Sequence, residues 1–427
     1  MRNSAKPVVY YLAANPLHLG VYEAEAAAIE GGGFEVRFVL NARSFRAIPL
    51  AFARRVRIGR GRSPLSRRRE YGPVLFHQKA KPLYRLQLIP AFLPGYLRGV
   101  PTILHARTLH VADAVIVLKR LFPKLGIVSE LEGDAETEMD YVLRWGRQPR
   151  RPGTEELRRF HRAAELRVLA ESDLVLTVSE ALKDLLLGRH GLAGKLGEGI
   201  VSVPTVASRR VFRFDDEDRR RGRASLGLHD RYVIVYLGNL AAAWQQPEEM
   251  VELFCRIKGV RGDAYFLVVS PRLEHKYIAG HLQSKGIGRD DVRLLAADYD
   301  EIPRMLCAAD AGLLIRRQHP MNLVGSPAKL AEYLLAGLPV ITTDIGGEYI
   351  EALRGRDEIL LLRGGWPDDR LKEELTRFCQ AEVDVERRMG LSAWAAERFS
   401  IESWEPVLQK AYARLAFGGA KAGGSLE

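Results

Sequence analysis

Cysteine is scarce. The 427 residues contain three, Cys255, Cys307 and Cys379, widely separated and without a Cys-x-x-Cys pair. An odd, scattered set excludes a disulfide framework and a structural zinc site. It suits a reducing compartment, with all three read as small buried hydrophobes. Long apolar runs are also missing. No segment approaches ~18 uninterrupted apolar residues, so no spanning helix is expected. The N-terminal run Val8–Ala14 stops at Asn15-Pro16. It is too short for a signal-peptide core and reads as a first β-strand, which makes a cytoplasmic location the expectation. Basic patches interleaved with aromatics are absent, and no nucleic-acid-binding module is recognisable, so nucleic acid is not an expected partner.

Positive charge is abundant but unevenly placed. The formal net charge is +11. Residues 1–207 carry 32 Lys and Arg against 20 Asp and Glu, whereas residues 208–427 carry 32 against 33. Eight arginines, Arg54, Arg55, Arg57, Arg60, Arg62, Arg67, Arg68 and Arg69, crowd into sixteen residues. Such a cluster suits peripheral contact with an anionic membrane surface; the plainer reading is a solvated loop.

Hydrophobic residues make up 47% of the chain, enough for two cores at this length. Strand-like runs alternate with helical patterns in the first half, at Val8–Ala14, Phe34–Leu40, Pro101–His105, Gly126–Glu130, Asp173–Ser179 and Gly199–Pro204. A polar stretch follows at residues 208–230, read as a linker. The alternation then restarts at Tyr232–Gly238 and continues through Leu338–Thr342 and Glu358–Leu362. Strand–helix alternation implies parallel sheets covered on both faces. The expected fold is therefore α/β: two Rossmann-like domains, 1–207 and 231–398, with parallel sheets facing a central cleft. A C-terminal helix, 399–417, is expected to cross back to the first domain.

The most informative segment is Gly312–Glu348, GLLIRRQHPMNLVGSPAKLAEYLLAGLPVITTDIGGE. A strand ends at Ile315, so Arg316 and Arg317 lie at its carboxyl end, the edge that faces ligands in open α/β sheets. Asn322 and Gly325 occupy the following loop. Ser326 is a natural N-cap, and Pro327 suits a first helical turn. A helix N-terminus beside a glycine attracts anions. Lys329 sits just inside that helix, and Glu332 shares its face one turn on. A phosphate at the helix start and a carboxylate further along suit a nucleotide diphosphate whose ribose hydroxyls donate to the carboxylate. Asn239, after the strand Tyr232–Gly238, and Arg272, after Val268-Val269-Ser270-Pro271, complete the expected binding set.

The string SPAKLAEYLLAGLPVITTDIGGE resembles the donor-binding signature of retaining GT-B-fold glycosyltransferases of family 4, the glycosyl transferases group 1. Tyr236–Leu240, Ser172–Ala181 and His105-Ala106-Arg107 resemble other parts of that family. The resemblance implies a nucleotide-diphosphate sugar donor, UDP- or GDP-linked, and retention by front-face attack in which the leaving phosphate takes the acceptor proton. The basic first half suggests an anionic or membrane-anchored acceptor, a glycan or lipid-linked one in cell-envelope or exopolysaccharide synthesis. His105, Asn322, Lys329 and Glu332 become the expected catalytic set, and Gly20, His18, Arg107, Glu132 and Asp134 the expected first-half contacts. The chain departs from the family in two places. Val324 stands where the first Glu of Glu-x7-Glu is usual, and no cation follows the first donor-domain strand, where Ala241–Gln246 stand instead. The metal-organising Asp-x-Asp string of another glycosyltransferase class is not expected anywhere in the chain, with Glu132-Gly133-Asp134 read as the nearest imitation. No metal or other cofactor is therefore expected. A nucleotide-sugar epimerase and a non-catalytic scaffold on the same fold are the alternatives.

Overall fold

The computed structural model describes residues 6–13, 19–41, 71–74, 81–146, 153–194, 196–363, 369–381 and 384–417. The arginine-rich stretch 54–69 and His18 lie outside them. The chain divides into two compact units. One comprises Met1–Glu136, Arg150–Thr205 and Trp404–Glu427; the other comprises Thr137–Pro149 and Val206–Ser403.

Among the described residues the first unit carries seven strands: β1 (Val8–Ala13), β2 (Glu35–Asn41), β3 (Tyr71–Val74), β4 (Thr102–Arg107), β5 (Gly126–Leu131), β6 (Leu174–Thr177) and β7 (Ile200–Ser202). They form one sheet in the order β3-β2-β1-β4-β5-β6-β7, paired in parallel throughout. The second unit holds β8 (Tyr232–Leu237), β9 (Ala264–Val269), β10 (Val292–Leu295), β11 (Ala311–Leu314), β12 (Val340–Thr343) and β13 (Ile359–Leu362). Their order, also parallel, is β10-β9-β8-β11-β12-β13. Both are doubly wound sheets. In each the strand order reverses between the first and fourth strands, and the loops leaving those strands flank the crevice where ligands bind in such folds.

The second sheet shows why its strands are continuous apolar runs. All six residues of β8 are buried. Val233, Val235 and Leu237 pack on one face with the helix Ala328–Leu335, while Ile234 and Tyr236 pack on the other with the helix Pro247–Val260. A strand covered on both faces has no polar side to alternate with.

Residues 208–230 are not a bare linker. They contain a helix, Asp216–Leu226, built into the second unit. Asp215 caps it, accepting from the Asp218 amide at 2.9 Å, and Gly227 ends it at φ 68°. The sequence hides this helix because it docks through a glycine instead of an apolar stripe. A Cβ at Gly222 would meet Ala308 Cβ and the Arg304 carbonyl, each at 2.9 Å, on the helix Ile302–Ala308. The helix Lys81–Leu97 is hidden differently, since it runs through Pro90 and Pro94. Prolines normally signal a break because each removes a hydrogen bond. Cys307 and Cys379 are buried, and Cys255 is half-buried.

Candidate functional site

The candidate site lies in the second unit, where β8 and β11 end side by side. Gly238 leaves β8 at φ 129°, and a Cβ there would approach Lys329 Nζ to 2.7 Å. Asn239 is exposed and forms a tight turn, its Oδ1 accepting from the Ala241 amide at 2.7 Å. Glu274, on the turn after β9, accepts from the Leu240 amide at 2.5 Å and from that of Ala241 at 3.3 Å, which anchors the same loop. Nothing in its spacing marked Glu274 beforehand.

Lys329 reaches back over this loop. Its Nζ donates to Gln245 Oε1 at 3.0 Å and to the Tyr236 hydroxyl at 3.4 Å, and lies 4.6 Å from the Tyr236 ring centre. Tyr236 also donates to Gln245 Oε1, at 2.9 Å. Burial, with Arg316 nearby, holds the Lys329 ammonium well below its usual range. The loop that lacks a cation in sequence therefore receives one from the helix Ala328–Leu335.

Glu332, on that helix, is 8% exposed. Among the described residues nothing hydrogen-bonds its carboxylate, and burial pushes its pKa up to about 7 against the pull of Lys329. A buried carboxylate with open acceptor positions is costly unless donors arrive. The hydroxyls of a bound sugar or ribose are donors of that kind.

The helix start differs from expectation. Pro327 is the N-cap, the helix begins at Ala328, and no side chain caps it. Ser326 instead turns its hydroxyl to Tyr349. The Leu330 amide donates to the Pro327 carbonyl at 2.9 Å, and no side-chain cap meets the Ala328 and Lys329 amides before it, which leaves those two disposed toward an anion. Gly325 is half-buried just before this turn. Asn322 is buried, and its Nδ2 donates to the Arg317 carbonyl at 2.8 Å, so it braces the loop. Val324 is buried at 3%. Arg272 is exposed at the end of β9.

Arg316 is 9% exposed. Its amide donates to Thr343 Oγ1 at 2.8 Å, and its Nη1 donates to the Trp244 carbonyl at 2.9 Å. Burial pushes its pKa down to about 10. Arg317 is tied to Glu249 and donates from Nε to Gln246 Oε1 at 3.0 Å.

In the first unit the structure corrects the sequence reading. β4 runs two residues further than expected, so His105 lies inside the strand and its side chain is fully buried. Its Nε2 lies 3.1 Å from Glu130 Oε2 and its Nδ1 2.7 Å from the Tyr412 hydroxyl. Arg107 is 2% exposed. Its Nη1 donates to Tyr11 at 2.8 Å and to Glu25 at 2.7 Å, and its Nε donates to Glu132 at 2.7 Å. Among the described residues these groups satisfy one another inside the unit, and the His105 and Arg107 side chains are taken up there. Asp134 is likewise buried and clamped by Arg189 at 2.6 and 2.8 Å. Glu132 alone of this set is solvent-facing. Gly20 is buried in the first turn of the helix Leu19–Gly31.

Thr108, directly after β4, holds φ 81°. A β-branched residue there is strained by roughly 1–3 kcal/mol, and such strain gathers at functional edges. It marks the strand-order reversal of the first sheet, and sequence offers no signal for it.

Glu25, His105 and Glu130 form the one group of three with metal-ligand spacing among the described residues. Arg107 Nη1 already lies 2.7 and 3.0 Å from its two carboxylates, filling the place a cation would take. Contrary to the expectation that the chain lacks it, Asp-x-Asp spacing occurs in the second half, at Asp216–Asp218 and Asp298–Asp300. Asp218 Oδ1 lies 3.4 Å from Arg304 Nε, and the Asp298 amide donates to Glu301.

Residues 231–379 match the family model described as glycosyl transferases group 1. No curated protein matches the chain in sequence. Solved structures match across nearly its whole length. Anabaena HepE in complex with UDP-glucose is 14% identical, with a TM-score of 0.66 over 95% of this chain and 99% of that one. WaaG, a glycosyltransferase involved in lipopolysaccharide biosynthesis, is 13% identical, with a TM-score of 0.55 over 96% and 100%. A putative UDP-N-acetylglucosamine 2-epimerase from Listeria monocytogenes is 14% identical, with a TM-score of 0.57 over 96% and 96%. The chain has the GT-B fold of two Rossmann-like units, and its second unit carries the glycosyl transferases group 1 match.

Proposed function

We propose that the protein is a metal-independent glycosyltransferase whose second unit binds a nucleotide-diphosphate sugar, UDP- or GDP-linked. The observation that carries this reading is the pairing of Lys329, folded back over Gln245 and Tyr236, with the buried Glu332 carboxylate one turn away, to which nothing among the described residues hydrogen-bonds. Lys329 and the uncapped helix start would meet the diphosphate, and Glu332 would accept from ribose hydroxyls. The family match over this unit, and the UDP-glucose held by a protein of the same fold, support it.

The reaction in this reading is hexosyl transfer with retention. The acceptor hydroxyl oxygen bonds to the anomeric carbon on the face the diphosphate leaves. The bond from that carbon to the phosphate oxygen breaks, and the proton passes to the departing phosphate. Cationic and dipolar stabilisation of the leaving group then does the work of a metal. The acceptor is a glycan or lipid-linked precursor of a surface polysaccharide. The arginines of 54–69 would hold the protein peripherally on the cytoplasmic face of an anionic membrane.

The test is thermal shift and calorimetry with UDP, GDP, ADP, CMP and dTDP and their sugars, for wild type and Glu332→Ala. A ligand at 100 times its Kd adds roughly 2.7 kcal/mol of stability. Stabilisation by one nucleotide series, lost in the variant, bears the proposal out; silence toward all of them overturns it in favour of a scaffold. The epimerase reading, prompted by the Listeria likeness, requires free nucleotide and sugar products without any acceptor.

A further inference from the structure

A cavity of about 340 Å³ opens at the carboxyl ends of β11, β12 and β13. Its lining includes Gln246, Arg316, Arg317, Thr343, Asp344 and Arg363, with Glu249 at its side. The volume lies at the small end for ligand pockets and suits one sugar ring or a smaller group.

Its charge is not balanced from within. Glu249 is paired with Arg317. Asp344 is held by Arg354 through two hydrogen bonds of 2.8 and 2.9 Å. Both carboxylates are thus spoken for. Arg316 has no carboxylate partner among the described residues, and Arg363 makes no ion pair there, although its charge reaches Asp344. Arg316 is nine-tenths buried, and the Trp244 carbonyl is the one acceptor its guanidinium meets there. A guanidinium offers five donors and stays charged, so a buried one lacking a counter-charge is expensive to keep. Arg363 stands exposed at the mouth of the cavity.

The wall is also strained. Gln246 sits at φ 50°, outside the ordinary range for a side chain of its kind. The conformation is held from two sides, because its Oε1 accepts from Arg317 Nε at 3.0 Å and its Nε2 donates to the Tyr141 hydroxyl at 3.0 Å. Tyr141 belongs to the segment 137–149, part of the same unit. Backbone strain that the surroundings enforce is characteristic of ligand clamps.

We propose that this cavity is an oxyanion subsite, in which Arg316 and Arg363 receive the carboxylate or phosphoryl group of an acidic sugar; it deepens the reading of the second unit as a sugar-nucleotide site. The planar fork of arginine matches both anions. A neutral sugar would leave Arg316 without a counter-charge, so the subsite discriminates by charge as well as shape.

The experiment compares UDP-glucose with UDP-glucuronate, which differ at C6, and adds UDP, free glucuronate and inorganic phosphate as separate probes. Binding is measured by calorimetry on the full chain for wild type, Arg316→Gln and Arg363→Gln. The exposed position of Arg363 keeps its variant folded if Arg316→Gln is not. Charge-assisted hydrogen bonds predict roughly a 10- to 100-fold preference for the acidic donor, lost in Arg363→Gln while UDP binding is unchanged. If glucuronate or phosphate binds alone and is lost in Arg363→Gln, with the two nucleotide sugars bound equally, the subsite stands and its anion comes from a source other than the donor. Equal binding of the two donors together with indifference of every probe to Arg363→Gln overturns the proposal. Failure of UDP and of every other nucleotide in the panel above overturns the donor reading, and the free anions still test the cavity.

Discussion

Lys329 Nζ lies 3.0 Å from Gln245 Oε1, although 84 residues separate the two in sequence. The contact carries a cation from the start of one helix to the loop that leaves β8, where the chain has no cation of its own. Lys329→Met is expected to lower nucleotide-diphosphate affinity by roughly 10- to 100-fold, the worth of a charge-assisted hydrogen bond. The melting temperature should hold or rise, because desolvation disfavours the ammonium form of Lys329 in this fold. Calorimetry beside thermal melting reads both effects.

Glu332 gives a pH signature. Its pKa is raised to about 7 from an ordinary value of 4.5, so the empty fold favours the protonated acid. Below pH 4.5 the group is neutral folded or unfolded and contributes nothing to the pH dependence. Between 4.5 and 7 the unfolded chain loses its proton first, so stability falls as pH rises. The cost above pH 7 is about 3 kcal/mol at 1.36 kcal/mol per unit. Glu332→Gln should therefore raise the melting temperature more at pH 8 than at pH 5. In the wild type, nucleotide affinity should increase as pH passes upward through about 7, and in Glu332→Gln that rise should vanish.

Gly238→Ala combines two penalties, a left-handed φ of 129° and a Cβ 2.7 Å from Lys329 Nζ. The expected result is a loss of about 1–3 kcal/mol in stability and displacement of Lys329 from the loop. Nucleotide affinity should fall with it, and circular dichroism melts and calorimetry on one preparation would show both.

Arg388 is 2% exposed and donates to the carbonyls of Gly337, Cys307 and Ala309 at 3.0, 2.9 and 2.9 Å. It closes the ends of the helices Ile302–Ala308 and Ala328–Leu335. Arg388→Met should cost about 2–4 kcal/mol by orphaning several buried carbonyls, with a visible drop in the denaturant midpoint.

In the first unit, Tyr412→Phe removes the group beside His105 Nδ1. A stability loss of about 1–3 kcal/mol with donor-nucleotide binding unchanged is expected. A change in nucleotide affinity without a change in melting would restore a binding role for His105.

The strands of both sheets, β3 apart, were legible because buried parallel strands are written as short apolar runs; β3, the edge strand Tyr71–Val74, carries a glycine and a proline and offers no such run. The switch-point loop was legible because Gly325, Pro327, Lys329 and Glu332 have a spacing that suits an anion at a helix start. What sequence could not show were contacts made across the fold. Lys329 was read as lying near the helix start, yet its target is Gln245. His105 was read as open because its strand looked two residues shorter, and the carboxylates that bury it come from Glu25 and Glu130. The helix Asp216–Leu226 has no apolar stripe to announce it, and the Arg316 cavity is assembled from three strand ends that are adjacent in space alone.

The first unit closes with the last described helix, Ile401–Phe417, whose residues from Trp404 onward belong to it. His105 and Tyr412 are 307 residues apart. At the usual pace of roughly 5–20 residues per second, about 15–60 seconds separate their emergence from a ribosome. Through that interval the nascent first half must keep a histidine, an arginine and two glutamates without the helix that seals them. Its folding therefore cannot finish ahead of the second half, and the order of synthesis is not the order of completion.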